Sequence, residues 1–160
     1  MRYSGLIKND MAAAPGICVS FFVQGCPLHC PGCHNKDSWD FDGGKEFTTD
    51  TLNEVIESLT KNGIKRNLCI MGGEPLCNEN VFLTYLIIKE VKDKLPNTKI
   101  YIWSGYTYEQ LQTSSHPKVN ECLSLADVLI DGPFIIEERD ITLSMRGSRN
   151  QRIIDLSEKK

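Results

Sequence analysis

"CVSFFVQGCPLHCPGCHN", residues 18–35, joins two unlike halves. Cys18–Gly25 is short, apolar and stopped by glycine, which is the pattern of a buried strand. The remainder sets Cys26, Cys30 and Cys33 within eight positions, with three residues between the first two and two between the last two. A strand that runs straight into a thiol cluster marks both the end of a sheet and a place for chemistry.

Outward from that stretch the same form repeats. "TTDTLNEVIESLTKNG" reads as a helix, with Thr49 or Asp50 as its N-cap, Leu52, Val55, Ile56 and Leu59 on one face, and Gly63 at its end. "NLCIMGGEP" is a second apolar strand running into glycines, and "NENVFLTYLIIKEVKDKLP" a helix closed by Pro96. "KIYIWSGY" is a third strand, "TYEQLQ" a short helix, and "HPKVNECLSL" a helix with Pro117 near its first turn. "ADVLIDGPF" makes a fourth strand and "QRIIDL" a fifth. Alternating strands and helices predict an α/β fold with βαβ units and a mainly parallel sheet. No linker or repeat divides residues 1–160, so one domain is expected.

The cysteine cluster, Gly72-Gly73-Glu74-Pro75, Ser104-Gly105-Tyr106 and Asp131-Gly132-Pro133 each follow the carboxyl end of a predicted strand. In parallel α/β architectures those ends form one face, where ligands sit. Any one glycine there is ordinary turn punctuation. Four such loops beside three cysteines point to a shared site.

Composition narrows the function classes. The net charge of −3 leaves no basic footprint for nucleic acid. "MRYSGLIKNDMAAAPG" has no apolar run of signal-peptide length. The greasiest segment, Val81–Val91, is interrupted by Lys89 and Glu90 and falls short of the roughly 20 apolar residues of a membrane span. A soluble cytoplasmic protein without nucleic-acid or membrane partners is expected. In that compartment thiols stay reduced, so seven cysteines point to metal or redox chemistry.

Structural zinc takes four tetrahedral ligands, usually as two separated pairs. Here there is one triplet, and His29, His34, Cys69 and Cys77 are the candidates for a fourth. The spacing also differs from the bacterial ferredoxin run, and no remote Cys-Pro occurs. The other possibility is a [4Fe–4S] cluster on three thiolates, whose fourth iron is open to a substrate or cofactor.

C-x3-C-x2-C after a first strand, followed by a GGE strand end, resembles the radical S-adenosylmethionine superfamily. Most members carry an aromatic residue before the third cysteine; here it is Gly32. That departure matches the activating proteins of anaerobic (class III) ribonucleotide reductase. Their pattern GC-x3-CPGC-x-N stands at Gly25–Asn35, with "MGGEP" (Met71–Pro75), "WSGY" (Trp103–Tyr106), "LIDGPF" (Leu129–Phe134) and "RGSRNQ" (Arg146–Gln151) following in order. The alternatives are another small radical S-adenosylmethionine enzyme, such as an activase of a different glycyl radical enzyme or a queuosine-pathway synthase, and a non-catalytic zinc module.

The resemblance implies an incomplete βα barrel, since four or five units cannot close eight strands. It implies that Cys26, Cys30 and Cys33 ligate the cluster, and that main-chain atoms at Gly72 and Gly73, with Glu74 nearby, hold the methionine amino group. Gly32, Cys33 and His34 would lie along the adenine. Ser104 would bond the ribose or methionine carboxylate, or simply serve its turn. No side-chain acid or base is required, because the radical chemistry is borne by the cofactor. The implied activity is an oxidoreductase that leaves a glycyl radical on the large subunit of anaerobic ribonucleoside-triphosphate reductase, with a flavodoxin-like protein as electron donor. A side chain at Gly73 is then expected to weaken S-adenosylmethionine binding while leaving the cluster in place. Asp131 is read as either a site residue or a cap, and Arg146–Gln151 carries no assigned role. Cys18, Cys69, Cys77 and Cys122 read as small buried hydrophobes, and Trp39 and Phe41 as packing under the cysteine loop.

Overall fold

A computed structural model describes residues 1–160. Seven strands form one sheet: β1 (Arg2–Asp10), β2 (Cys18–Val23), β3 (Lys45–Glu46), β4 (Asn67–Gly72), β5 (Ile100–Trp103), β6 (Val128–Asp131) and β7 (Arg152–Asp155), in the order β3-β1-β2-β4-β5-β6-β7. Four helices join them: α1 (Thr49–Thr60), α2 (Val81–Lys94), α3 (Tyr108–Gln112) and α4 (Pro117–Leu125). Strands β2, β4, β5 and β6 are parallel and follow one another without reversal. That monotonic winding is the expected incomplete barrel. Antiparallel strands cap both edges, β1 and β3 beyond β2 and β7 beyond β6.

Side-chain alternation explains why the helices gather on one face. Val19, Phe21 and Val23 of β2, Leu68 and Ile70 of β4, Ile100 and Ile102 of β5 and Leu129 of β6 join Val55, Ile87, Ile88 and Val119 in the large core. Their neighbours Cys18, Cys69, Tyr101, Val128 and Ile130 point the other way into a smaller core, closed by Ala13, Ala14 and Met145. Both faces are thus buried, which is why these strands read as continuous apolar runs.

The helix ends follow local chemistry. The N-cap of α1 is Thr48, one residue before the expected position, and Thr48 and Thr51 satisfy each other's backbone N–H groups. Arg66 is buried at the other end of α1, its Nη1 donating to the carbonyls of Ser58, Lys61 and Ile64. Carbonyls at a helix end can accept further donors, so a guanidinium can be buried there without a carboxylate. Pro117 opens α4, as expected.

The sequence pattern reveals neither β1 nor β3. Register shifts between Tyr3 and Gly5 and between Ile7 and Asp10 break the two-residue alternation of β1. The strand becomes visible only where Tyr3 stacks on Phe21, their ring centroids 5.2 Å apart. No helix is long and apolar enough to cross a membrane.

Candidate functional site

Strand β2 ends at Val23, and the chain turns at Gly25, whose φ of +103° lies in the left-handed region. The ring of Phe41 fills the space a Cβ on Gly25 would need, so this position has room for no side chain. Gly25 N donates to Ser38 O at 2.6 Å and Cys26 N to Trp39 O at 3.1 Å, which brings the far end of the cysteine loop back to its start. Gln24 reinforces the closure, its Nε2 donating to the carbonyls of Asp37 and Asp40.

Inside the loop, Cys33 N donates to Cys30 O at 3.1 Å, with Pro31 and Gly32 between them. Proline second and a glycine at φ +80° third is the type II turn arrangement. This accounts for glycine at the position before the third cysteine. Ile136 also packs where a Gly32 Cβ would project. The turn sets Cys30 and Cys33 side by side, and with Cys26 they line one cleft.

The rest of the lining comes from the other strand ends. Gly72 at the end of β4 with Gly73 and Glu74 after it, Ser104 after β5, and Gly132, Phe134 and Gln151 beyond β6 line the same cleft. Of the residues singled out from sequence, Cys26, Cys30, Cys33, Gly72, Gly73, Glu74 and Ser104 are therefore brought together. Gly32 and His34 lie outside its lining: Gly32 meets Ile136, and His34 is exposed with its ring 5.7 Å from that of Phe134. Trp39 does line the cleft, stacked on His29 at 4.4 Å, while Phe41 packs under the loop. Met71, Trp103, Phe134 and Gln151 line the cleft too, beyond the residues singled out from sequence. Their signal was membership of the quoted motifs at the strand ends.

Glu74 and Ser104 face each other. Glu74 is 1% exposed; its Oε2 accepts from Ser104 Oγ at 2.8 Å and Leu76 N at 2.9 Å, and its Oε1 from Gly105 N at 2.6 Å. The carboxylate thus ties the β4 loop to the β5 loop. Burial pushes Glu74 up to about 7 from 4.5, against the pull of these three donors. The folded protein holds this proton more tightly than the unfolded chain does, so the stabilisation is full below about 4.5 and is lost as pH rises through about 7. Between pH 5 and pH 8 the metal-free wild type is expected to lose about 2 to 3 kcal/mol relative to Glu74→Gln. Urea midpoints of the two proteins at both pH values check this, and parallel pH dependences would refute it.

Gly73 departs from expectation. A Cβ there would overlap the carbonyl oxygen of Gly25 and lie 2.7 Å from its carbonyl carbon. The crowding is against backbone next to Cys26 rather than against ligand space. A side chain at Gly73 therefore disturbs the first cysteine itself, and the expectation that the cluster would stay in place is corrected.

Asp131 is a structural anchor. It is 1% exposed, accepts from Tyr108 N at 2.8 Å at the start of α3, and pairs with Arg152, whose guanidinium also forks onto Glu109. In the Arg146–Gln151 segment, Gln151 Nε2 donates to Gly132 O and Asn150 Nδ2 to Pro133 O. The segment is a strap pinned to the end of β6. Cys18, Cys69, Cys77 and Cys122 are buried, and burial pushes the Cys77 and Cys122 thiols to about 12, which keeps them unreactive.

No three His, Cys, Asp or Glu side chains converge at the spacing of a single ion. The candidates for a fourth zinc ligand are engaged elsewhere: Cys69 faces the smaller core, Cys77 donates to Glu74 O at 3.2 Å, His29 lies on Trp39 and His34 stands beside Phe134. Three partly exposed thiols lining one cleft with Gly72 and Gly73 fit a body larger than one ion.

Residues 12–154 match the family described as a 4Fe-4S single cluster domain. The chain is 33% identical over 152 residues to the anaerobic ribonucleoside-triphosphate reductase-activating protein of Escherichia coli (strain K12), spanning 94% of this chain and 96% of that one. It is 36% identical over 154 residues to the protein of that description from Haemophilus influenzae, spanning 96% and 97%. The counterpart from Enterobacteria phage T4 is 34% identical over 155 residues, spanning 96% and 93%.

Proposed function

This chain belongs to the family of anaerobic ribonucleoside-triphosphate reductase-activating proteins, and from that premise we propose that it generates a glycyl radical on the anaerobic reductase by reductive cleavage of S-adenosylmethionine. The observation that carries this reading is the cleft in which Cys26, Cys30 and Cys33 face Gly72 and Gly73.

The three thiols are assigned as ligands of a [4Fe–4S] cluster. When bound, that cluster supplies one electron at low potential for cleavage of the sulfonium carbon–sulfur bond. The chain itself binds and orients. Gly72, at φ +105°, and Gly73 present side-chain-free backbone to the methionine end of S-adenosylmethionine. Glu74 and Ser104, bonded to each other, hold the β4 and β5 loops at fixed spacing. Trp39, Trp103 and Phe134 add apolar surface that limits water in the cleft. Gly32 and His34 flank Cys33 in the chain and are assigned, with it, to the adenine end. A flavodoxin-like protein is assigned as the electron donor, and the glycine-bearing loop of the reductase large subunit as the substrate.

The test is an anaerobic mixture of the reduced, iron-reconstituted protein, S-adenosylmethionine and the reductase. A doublet glycyl signal in electron paramagnetic resonance is expected, and it should vanish when the partner's radical-site glycine is replaced by alanine. Cleavage of S-adenosylmethionine without any radical on the reductase would reject the activase assignment.

A further inference from the structure

Asn80 stands where an asparagine usually caps a helix, immediately before α2. A capping side chain accepts from the N–H of the second or third helical residue. Asn80 makes no such bond. Its Nδ2 instead donates to Gly25 O at 2.9 Å and to Glu74 O at 3.0 Å, and the residue is 5% exposed. A primary amide has two N–H donors, so both are used on these two carbonyls.

Gly25 O also accepts from Glu74 N at 2.9 Å. The carbonyl just before Cys26 is therefore held by two donors from the β4–α2 connection. On its other side, the Gly25 and Cys26 N–H groups bind Ser38 and Trp39. One turn along α2, Thr84 Oγ1 donates to Pro75 O at 2.8 Å from a fully buried position. Residues four apart lie on one helix face, so α2 turns a polar inner face onto the Gly73–Pro75 loop.

We infer that Asn80 is a positioning residue that sets the Cys26 peptide against the Gly73–Glu74 wall. Without it, Glu74 N is the one donor left on the Gly25 carbonyl, and the next bond between the two segments is Gly73 N to Val23 O, two residues back from Gly25. The consequence for S-adenosylmethionine rests on the function proposed above, because it needs Cys26 as a cluster ligand and Gly73 beside the cofactor.

Two variants separate positioning from helix stability. Asn80→Ala removes the amide. Asn80→Ser supplies a residue suited to the N-cap, while its hydroxyl is too short to bridge the two carbonyls. In the metal-free protein under anaerobic conditions, iodoacetamide labelling followed by mass spectrometry reads each thiol. Cys26 is expected to react at least about fivefold faster in both variants, with Cys30, Cys33 and Cys122 within about twofold of wild type. An unchanged Cys26 rate, or a uniform rise at every thiol, overturns the inference. With the cluster reconstituted, both variants are expected to keep full iron content and bind S-adenosylmethionine at least about tenfold more weakly, read from the cofactor-induced change in the reduced-cluster resonance. Affinity equal to wild type overturns the positioning role. A wild type that binds no S-adenosylmethionine would overturn the function proposed above, whereas the thiol rates need no cluster and decide Asn80 on their own.

Discussion

Replacing Cys26, Cys30 or Cys33 singly by alanine is expected to leave a folded protein with no catalytic cluster and no glycyl radical on the reductase. Each thiol is partly exposed on a loop held by its own backbone bonds, so none of the three is needed for the core. The site holds no spare thiol. Cys77 donates to the carbonyl of Glu74, and Cys69 lies in the smaller core beneath the sheet. Cys122→Ala is the matching control. It removes a sulfur from the large core at a cost of about 1 to 2 kcal/mol and leaves the loop untouched. Iron and sulfide content, the brown absorbance of the reconstituted protein and the radical assay report the outcome. A triplet variant that still cleaves S-adenosylmethionine would show that the ligands were assigned wrongly.

Gly73→Val is expected to be nearly as damaging, through the fold of the site rather than through cofactor contact. Its Cβ would overlap the Gly25 carbonyl, which is already held by Glu74 N and Asn80 Nδ2 and cannot retreat without breaking both bonds. Overpacking against backbone costs about 3 kcal/mol, and the displaced peptide is the one that carries Cys26. Reduced iron incorporation is expected along with a lower urea midpoint. Gly105→Ala provides contrast. Its Cβ would meet the end of the Leu28 side chain, which can move, so cluster content should stay near wild type. Full iron content in Gly73→Val, with only weakened cofactor binding, would contradict the crowding argument.

Much of this protein is legible along the chain because its signals are local. The Cys30–Cys33 turn is readable from "CPGC", since proline second and glycine third specify their own backbone. Helix α4 is readable from Pro117, and β2, β4, β5 and β6 from apolar runs ended by glycine or a turn. The cysteine spacing and the order of the glycine-bearing motifs carry the family, and with it the chemistry.

What those local signals leave open is decided by contacts between residues far apart in the chain. Nothing near Glu74 in the sequence shows that its carboxylate bonds to Ser104, 30 positions away. Asn80 sits at the cap position of α2, yet its amide lies on Gly25, 55 positions away. Asp131 could face the site or anchor a helix, and Arg152 on the antiparallel edge strand settles it as an anchor. Strand β1, bulged and irregular in pattern, exists because β2 needs an antiparallel neighbour and Phe21 a ring to stack on. By itself the sequence determined the family and the cysteine spacing that goes with it, because residue type and short spacing are properties of a few adjacent residues. How the groups of the site are held was decided only by the tertiary structure, because a buried amide or carboxylate takes whichever partner folding brings within hydrogen-bond reach.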